Sequence, residues 1–141
     1  MCKQEILRIL AEGKYSCVAW QGGIRYQARG RGIQPLITPM REKKNFFAGM
    51  QVGDTIIGKA ATLLLVLSGV ESVYGELMSK AAVRVFQAHG IPYEYAQLVD
   101  FIQNRQQDGL CPLEQEVLEE DNPEKAWLKL EAKLAQLMSG K

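Results

Sequence analysis

Histidine occurs once and cysteine three times in this chain of 141 residues, which leaves few donors for a transition-metal site. The cysteines, Cys2, Cys17 and Cys111, are odd in number and widely spaced. That argues against a disulfide framework. With no charged leader followed by an apolar run, the pattern suggests a reduced, cytoplasmic compartment. Long hydrophobic runs are also missing. The longest, Ala60 to Leu67 with Thr62 inside it, is far short of the ~20 residues that cross a bilayer, so no membrane partner is expected. Repeats and low-complexity tracts are absent. One domain over residues 1–141 follows, with 1–50 as helix, hairpin and basic loop, 51–110 as central helix and βαβ unit, and 111–141 as C-terminal helices.

Charge of one sign is scarce overall, at a net +1, which makes nucleic acid an unlikely partner. The distribution is uneven. Residues 1–50 carry nine Lys or Arg against three acids, and residues 51–141 carry eight against thirteen. Arg25, Arg29, Arg31, Arg41, Lys43 and Lys44 form either a phosphate-facing surface centred on Arg29-Gly30-Arg31-Gly32 or a solvated face set against an acidic tail. Two Arg-Gly pairs are too few for an RNA-binding tract.

What is present is punctuation. Lys3 to Glu12 has helical apolar spacing and ends at Gly13. Ser16 to Gln21 and Ile24 to Ala28 alternate on either side of Gly22-Gly23, the signature of a tight hairpin. Pro35 and Pro39 mark Gly30 to Gln51 as a loop, with a short strand or edge segment at Leu36-Ile37. Asp54 to Leu67 is apolar around nearly its whole circumference and reads as a central helix capped by Gly69. Val70 to Gly75 reads as a strand, and Ser79 as the N-cap of a helix that ends at Gly90 with His89 in its last turn, where the imidazole suits the helix dipole. Ile91 to Tyr95 begins the next strand, completing a βαβ unit with a parallel pair. A segment at Ala96 to Asn104, a turn at Gln106 to Gly109, and helices from Pro112 and from Pro123 follow, the last capped by Asn122. Trp20 and Trp127 read as core anchors.

Gly53 to Ala60 falls one residue short of a phosphate-binding P-loop. Such a loop needs Ser or Thr after Gly-Lys and a bare backbone nest between its glycines. Here Ala60 takes the first place, and Ile56 and Ile57 would crowd the second. The segment reads as the start of a packed helix.

The order helix, hairpin, helix, strand, helix, strand is that of the cytidine-deaminase-like fold. Asp54, Gly58-Lys59-Ala60-Ala61, Asn104-Arg105 and Gly109-Leu110-Cys111-Pro112 resemble the signature of a prokaryotic domain-of-unknown-function family grouped with that fold. The resemblance spans roughly residues 50–120. It implies an α/β, three-layer α/β/α architecture with a mixed sheet and added C-terminal helices, and no particular activity. Zinc deaminases carry a His or Cys two residues before a Glu at one helix start and Pro-Cys-x-x-Cys at the next. This chain offers Asp54 and Lys59, then Glu76-Leu77-Met78-Ser79, so no zinc and no other cofactor is expected.

In such a fold two helix N-termini converge at the strand ends, where free N–H groups favour an anion. The expected ligand-binding residues are Asp54, Lys59, Ser79, Asn104 and Arg105. Lys59 either pairs with Asp54 or Glu76 on the cleft floor or snorkels to the surface. Catalytic candidates are Cys111, Lys59 and Glu76. Cys111 precedes Pro112 and can cap a helix with Glu114 at N3, where a thiolate is stabilised, although no histidine lies nearby in sequence to act as base. Asn104 and Arg105 are either donors closing the pocket or a capped turn. The leading expectation is a zinc-free domain that binds a small anionic or nucleotide-like ligand in this cleft. The alternatives are a thiol-dependent enzyme using Cys111 and a non-catalytic interaction module, and a homo-oligomer is possible through the Leu-rich C-terminal helix.

Overall fold

The fold is taken from a computed structural model that describes residues 3–13, 15–30, 32–104, 106 and 109–139. Helix α1 (Lys3–Ala11) closes at Gly13, whose φ of 75° is left-handed. Strands β1 (Cys17–Trp20) and β2 (Ile24–Ala28) form the hairpin, turned by Gly22 and Gly23 at positive φ. Helix α2 spans Gln34–Glu42, where the two prolines suggest a loop. Pro35 sits in the first turn, where a missing N–H costs little. Pro39 lies inside the helix and leaves the Pro35 carbonyl without its i+4 donor. The Tyr26 hydroxyl donates to that carbonyl at 2.7 Å. Ile33, Leu36, Ile37 and Met40 are buried, so packing fixes a helix that local propensity disfavours.

A second difference concerns the central helix. Strand β3 (Gln51–Ile57) occupies what reads as the first turn of a helix, and α3 (Lys59–Ser68) begins only after Gly58. Val52, Thr55, Ile56 and Ile57 are β-branched, which suits a strand, but apolar residues resume directly after Gly58-Lys59 and hide the boundary. Gly69 ends α3 at φ 83°. Strand β4 (Ser72–Ser79) starts and ends later than its sequence pattern indicates, and runs straight into α4 (Lys80–His89). Strand β5 (Tyr93–Val99) takes in part of the segment expected from Ala96. Helices α5 (Pro112–Glu116) and α6 (Pro123–Ser139) start at their prolines, and Asn122 Oδ1 accepts from Lys125 N at 3.0 Å.

The sheet order is β2-β1-β3-β4-β5, with β1 antiparallel to both neighbours and β3, β4 and β5 parallel. Strand β1 is buried throughout, and its alternation divides the core. Cys17 and Ala19 join the larger cluster with α2, α3, α4 and α6, while Val18 and Trp20 join Ile6, Leu10 and Tyr74 under α1. Trp127 belongs to the larger cluster, so both tryptophans are anchors. Three layers result. Helix α1 lies against Gly53, where an added Cβ would come within 2.6 Å of Ile6 Cγ2, so a side chain there would force Ile6 to move. Among the described residues no helix is long and apolar enough to cross a membrane.

Candidate functional site

At the end of β3 the chain passes through Gly58 in an extended conformation and turns into α3. The first N–H groups of a helix have no partner within it. Those of Lys59 and Ala60 donate to Glu114, to Oε1 and Oε2 respectively, each at 2.8 Å. The carboxylate arrives from α5 and lies directly over Gly58, where a Cβ would sit 2.6 Å from its Cδ. Burial pushes the Glu114 carboxyl up, opposed by the two N–H groups and by the charge of Lys59. Glu114 therefore caps a helix 55 residues away and not the one that Cys111 begins.

Lys59 is 7% exposed. Its ammonium meets Asp121 Oδ1 at 2.9 Å and donates to the Leu118 carbonyl at 3.1 Å. This corrects the expected pairing with Asp54 or Glu76. The hydrogen bond and charge of Lys59 lower the Asp121 carboxyl, although that side chain is largely in solvent. At the second helix start, Ser79 Oγ accepts from Ala82 N at 3.1 Å and so serves as the N-cap of α4.

Asp54 is not at the helix start. It stands on β3 opposite Cys17, 2% exposed, with Oδ1 accepting from Ile56 N at 3.3 Å and from the Thr55 hydroxyl at 3.5 Å. Among the described residues Oδ2 is buried with no hydrogen-bond partner, and burial pushes the carboxyl up to about 8. Burial and the neighbouring Asp54 together push the Cys17 thiol up, and burial is also the main reason that Tyr26 rises to about 12. Glu76 is inside β4, half-buried and not paired with Lys59, rather than at the start of a helix.

Cys111 is the half-exposed N-cap of α5, and its thiol caps nothing. Its backbone is pinned on both sides, N to the Ile102 carbonyl at 3.0 Å and carbonyl to Gln115 N at 3.0 Å. Asn104 N donates to the Gly109 carbonyl at 2.8 Å and so closes the turn before α5. Arg105 lies outside the described residues. His89 ends α4 on the surface. The structure thus brings Lys59 together with Glu114 and Asp121, and leaves Asp54 and Glu76 apart from them. A buried lysine signals that it needs an acid, but nothing local selects Asp121 from Glu119-Glu120-Asp121. Among the described residues no group of three His, Cys, Asp or Glu side chains is placed to hold a metal ion.

The profile of a domain of unknown function, DUF1893, matches residues 5–134. The chain belongs to the DUF1893 family. A solved DUF1893 family protein from Thermotoga maritima is similar to it at 23% identity, with a TM-score of 0.81, over 94% of this chain and 88% of that one. The dCMP deaminase of the cyanophage S-TIM5 is similar at 13% identity and a TM-score of 0.51, over 67% of this chain and 99% of that one. That likeness shows a deaminase-like fold for this DUF1893 chain. No match is found among curated proteins.

Proposed function

We propose that this DUF1893 domain is a non-catalytic interaction module of deaminase-like fold, its cleft at the α3 N-terminus closed by its own Glu114. The observation that carries this reading is the pair of 2.8 Å bonds from Lys59 N and Ala60 N to one buried carboxylate. Those two N–H groups are what a helix N-terminus offers to an anion, and here they are already taken.

Zinc does not fit the same place. The signature needs His-x-Glu at one helix start and Pro-Cys-x-x-Cys at the next. Here Lys59-Ala60-Ala61 and Ser79-Lys80-Ala81-Ala82 stand there, and a buried ammonium beside the cleft opposes a dication. The other two readings have less support. A small anionic or nucleotide-like ligand in this cleft must displace Glu114 and compete with an intramolecular carboxylate. A nucleophilic Cys111 needs a base, and the acid three residues on is turned towards α3.

The test is an assay of ammonia release from dCMP and from cytidine, with zinc added, beside thermal shifts with inorganic phosphate. Wild-type protein is expected to release nothing and to be unshifted by phosphate at its α3 terminus. Glu114→Ala, which vacates the two N–H groups, is expected to gain a phosphate-dependent rise in Tm. Turnover by wild type, or phosphate seen displacing Glu114 in wild type, overturns the proposal.

A further inference from the structure

On the α1 face of the sheet, at the carboxyl end of β3, an open groove of about 560 Å³ is lined by Leu10, Gly13, Tyr15, Ser16, Arg29 and Thr55. Its volume lies within the range of small-molecule sites. Among the described residues no acid lines it.

Arg29 follows β2 directly, and its two neighbours are clamped. Ser16 N donates to the Ala28 carbonyl at 2.8 Å and Ser16 Oγ to the Gly30 carbonyl at 2.7 Å. The backbone on either side of Arg29 is thereby fixed to the entrance of β1. Its guanidinium lies over the Tyr15 ring, 5.2 Å from the centroid, and the Tyr15 ring packs against the Ile6, Leu10 and Trp20 cluster. Stacking orients the guanidinium and leaves its N–H groups for another partner. Among the described residues no carboxylate pairs with Arg29 and no hydrogen bond engages the Tyr15 hydroxyl. Below them, Thr55 N donates to the Ser16 carbonyl at 3.0 Å and closes the floor. Leu10 provides an apolar wall. The carbonyl end of α1 borders the groove at Gly13, and the Arg29 charge offsets its partial negative charge.

We propose that this groove is a binding site for a small organic anion, its carboxylate or phosphate head held by Arg29 and the Tyr15 hydroxyl and its apolar body along Leu10 and the Tyr15 ring. The site is separate from the position that Glu114 fills, which lies on the other helical layer, so its fate is independent of the reading above.

An amide-resolved NMR titration tests it, with phenyl phosphate and benzoate as probes and phenol and inorganic phosphate as controls. At least one organic anion is expected to shift the amides of Tyr15, Ser16 and Thr55 saturably, and comparison of the two identifies the head group. Arg29 is exposed, so Arg29→Ala is expected to keep the rest of the spectrum while weakening binding roughly tenfold or more, as suits loss of a charge-assisted hydrogen bond. Arg29→Lys should recover part of the affinity. The proposal is overturned if neither organic anion shifts those amides, if Arg29→Ala binds as wild type does, or if inorganic phosphate alone binds as tightly as phenyl phosphate.

Discussion

The Glu114 carboxylate and the Lys59 backbone N–H meet at 2.8 Å across 55 residues of chain, joining the C-terminal helices to the first turn of the central one. The contact is bidentate, since Ala60 N takes the second oxygen, also at 2.8 Å. It depends on Gly58, because any side chain there would collide with the carboxylate.

Removing the carboxylate should cost more than a surface acid would. Glu114→Ala leaves two buried N–H groups without acceptors and opens a gap beneath α5, and a loss of about 2 to 4 kcal/mol is expected in urea unfolding. Glu114→Gln keeps one acceptor and points an NH₂ at a donor, so it should fall between Glu114→Ala and wild type. Equal stability of all three proteins would show that the bond contributes nothing to folding.

Asp54 should make stability fall with rising pH. Its carboxyl is raised from 3.8 in the unfolded chain to about 8 in the fold. Between these values the native state holds a proton that the unfolded state has released, so the unfolding free energy declines as pH rises across the window. The contribution is complete below about 3.8 and lost above about 8. Asp54→Asn removes the titrating group, and the difference between its stability and that of wild type should grow in favour of Asn from pH 5 to pH 8. A pH-independent difference between the two contradicts the raised pKa.

How much of this was legible depends on how local each signal is. Ser79, Asn122, Gly69 and Gly90 could be read as caps because a cap is chemistry within a few residues. The element order and the deaminase-like layers followed from them. The β3 to α3 boundary was obscured because Ile56, Ile57, Ala60 and Ala61 satisfy strand and helix patterns alike, leaving Gly58 as the only break. The candidate site was less legible still. Lys59 stood out as a charge in an apolar run, but its partners Asp121 and Leu118 come from a segment some sixty residues on. Glu114 read as a local capping residue, and only the packing of α5 on α3 turns it elsewhere.

Lys59 and Asp121 should respond asymmetrically. Lys59→Met replaces a nearly buried ammonium by an apolar side chain of similar length, and a change within about 1.5 kcal/mol of wild type is expected. Asp121→Asn removes the counter-charge and leaves the ammonium with neutral acceptors, the Leu118 carbonyl and the Asn amide oxygen, and should destabilise, less so at high salt because the acid is solvent-exposed. Guanidine-free unfolding with urea at low and high sodium chloride separates the two. If Lys59→Met proves the more damaging, the lysine has a structural demand beyond this pair.

The Tyr26 hydroxyl and Pro39 form the sharpest test of how the fold absorbs an awkward residue. Pro39 cannot donate to the Pro35 carbonyl, and Tyr26 does so instead at 2.7 Å. Tyr26→Phe should therefore cost about 1 to 2 kcal/mol, the penalty for leaving a partly buried carbonyl without a donor. Pro39→Ala restores a backbone N–H at the i+4 position, so in that background the same Tyr26→Phe change should cost much less. A double-mutant cycle should give a coupling of about 1 kcal/mol. Additive effects would mean that the hydroxyl does not stand in for the missing amide, and that α2 tolerates Pro39 through the burial of Leu36, Ile37 and Met40 alone.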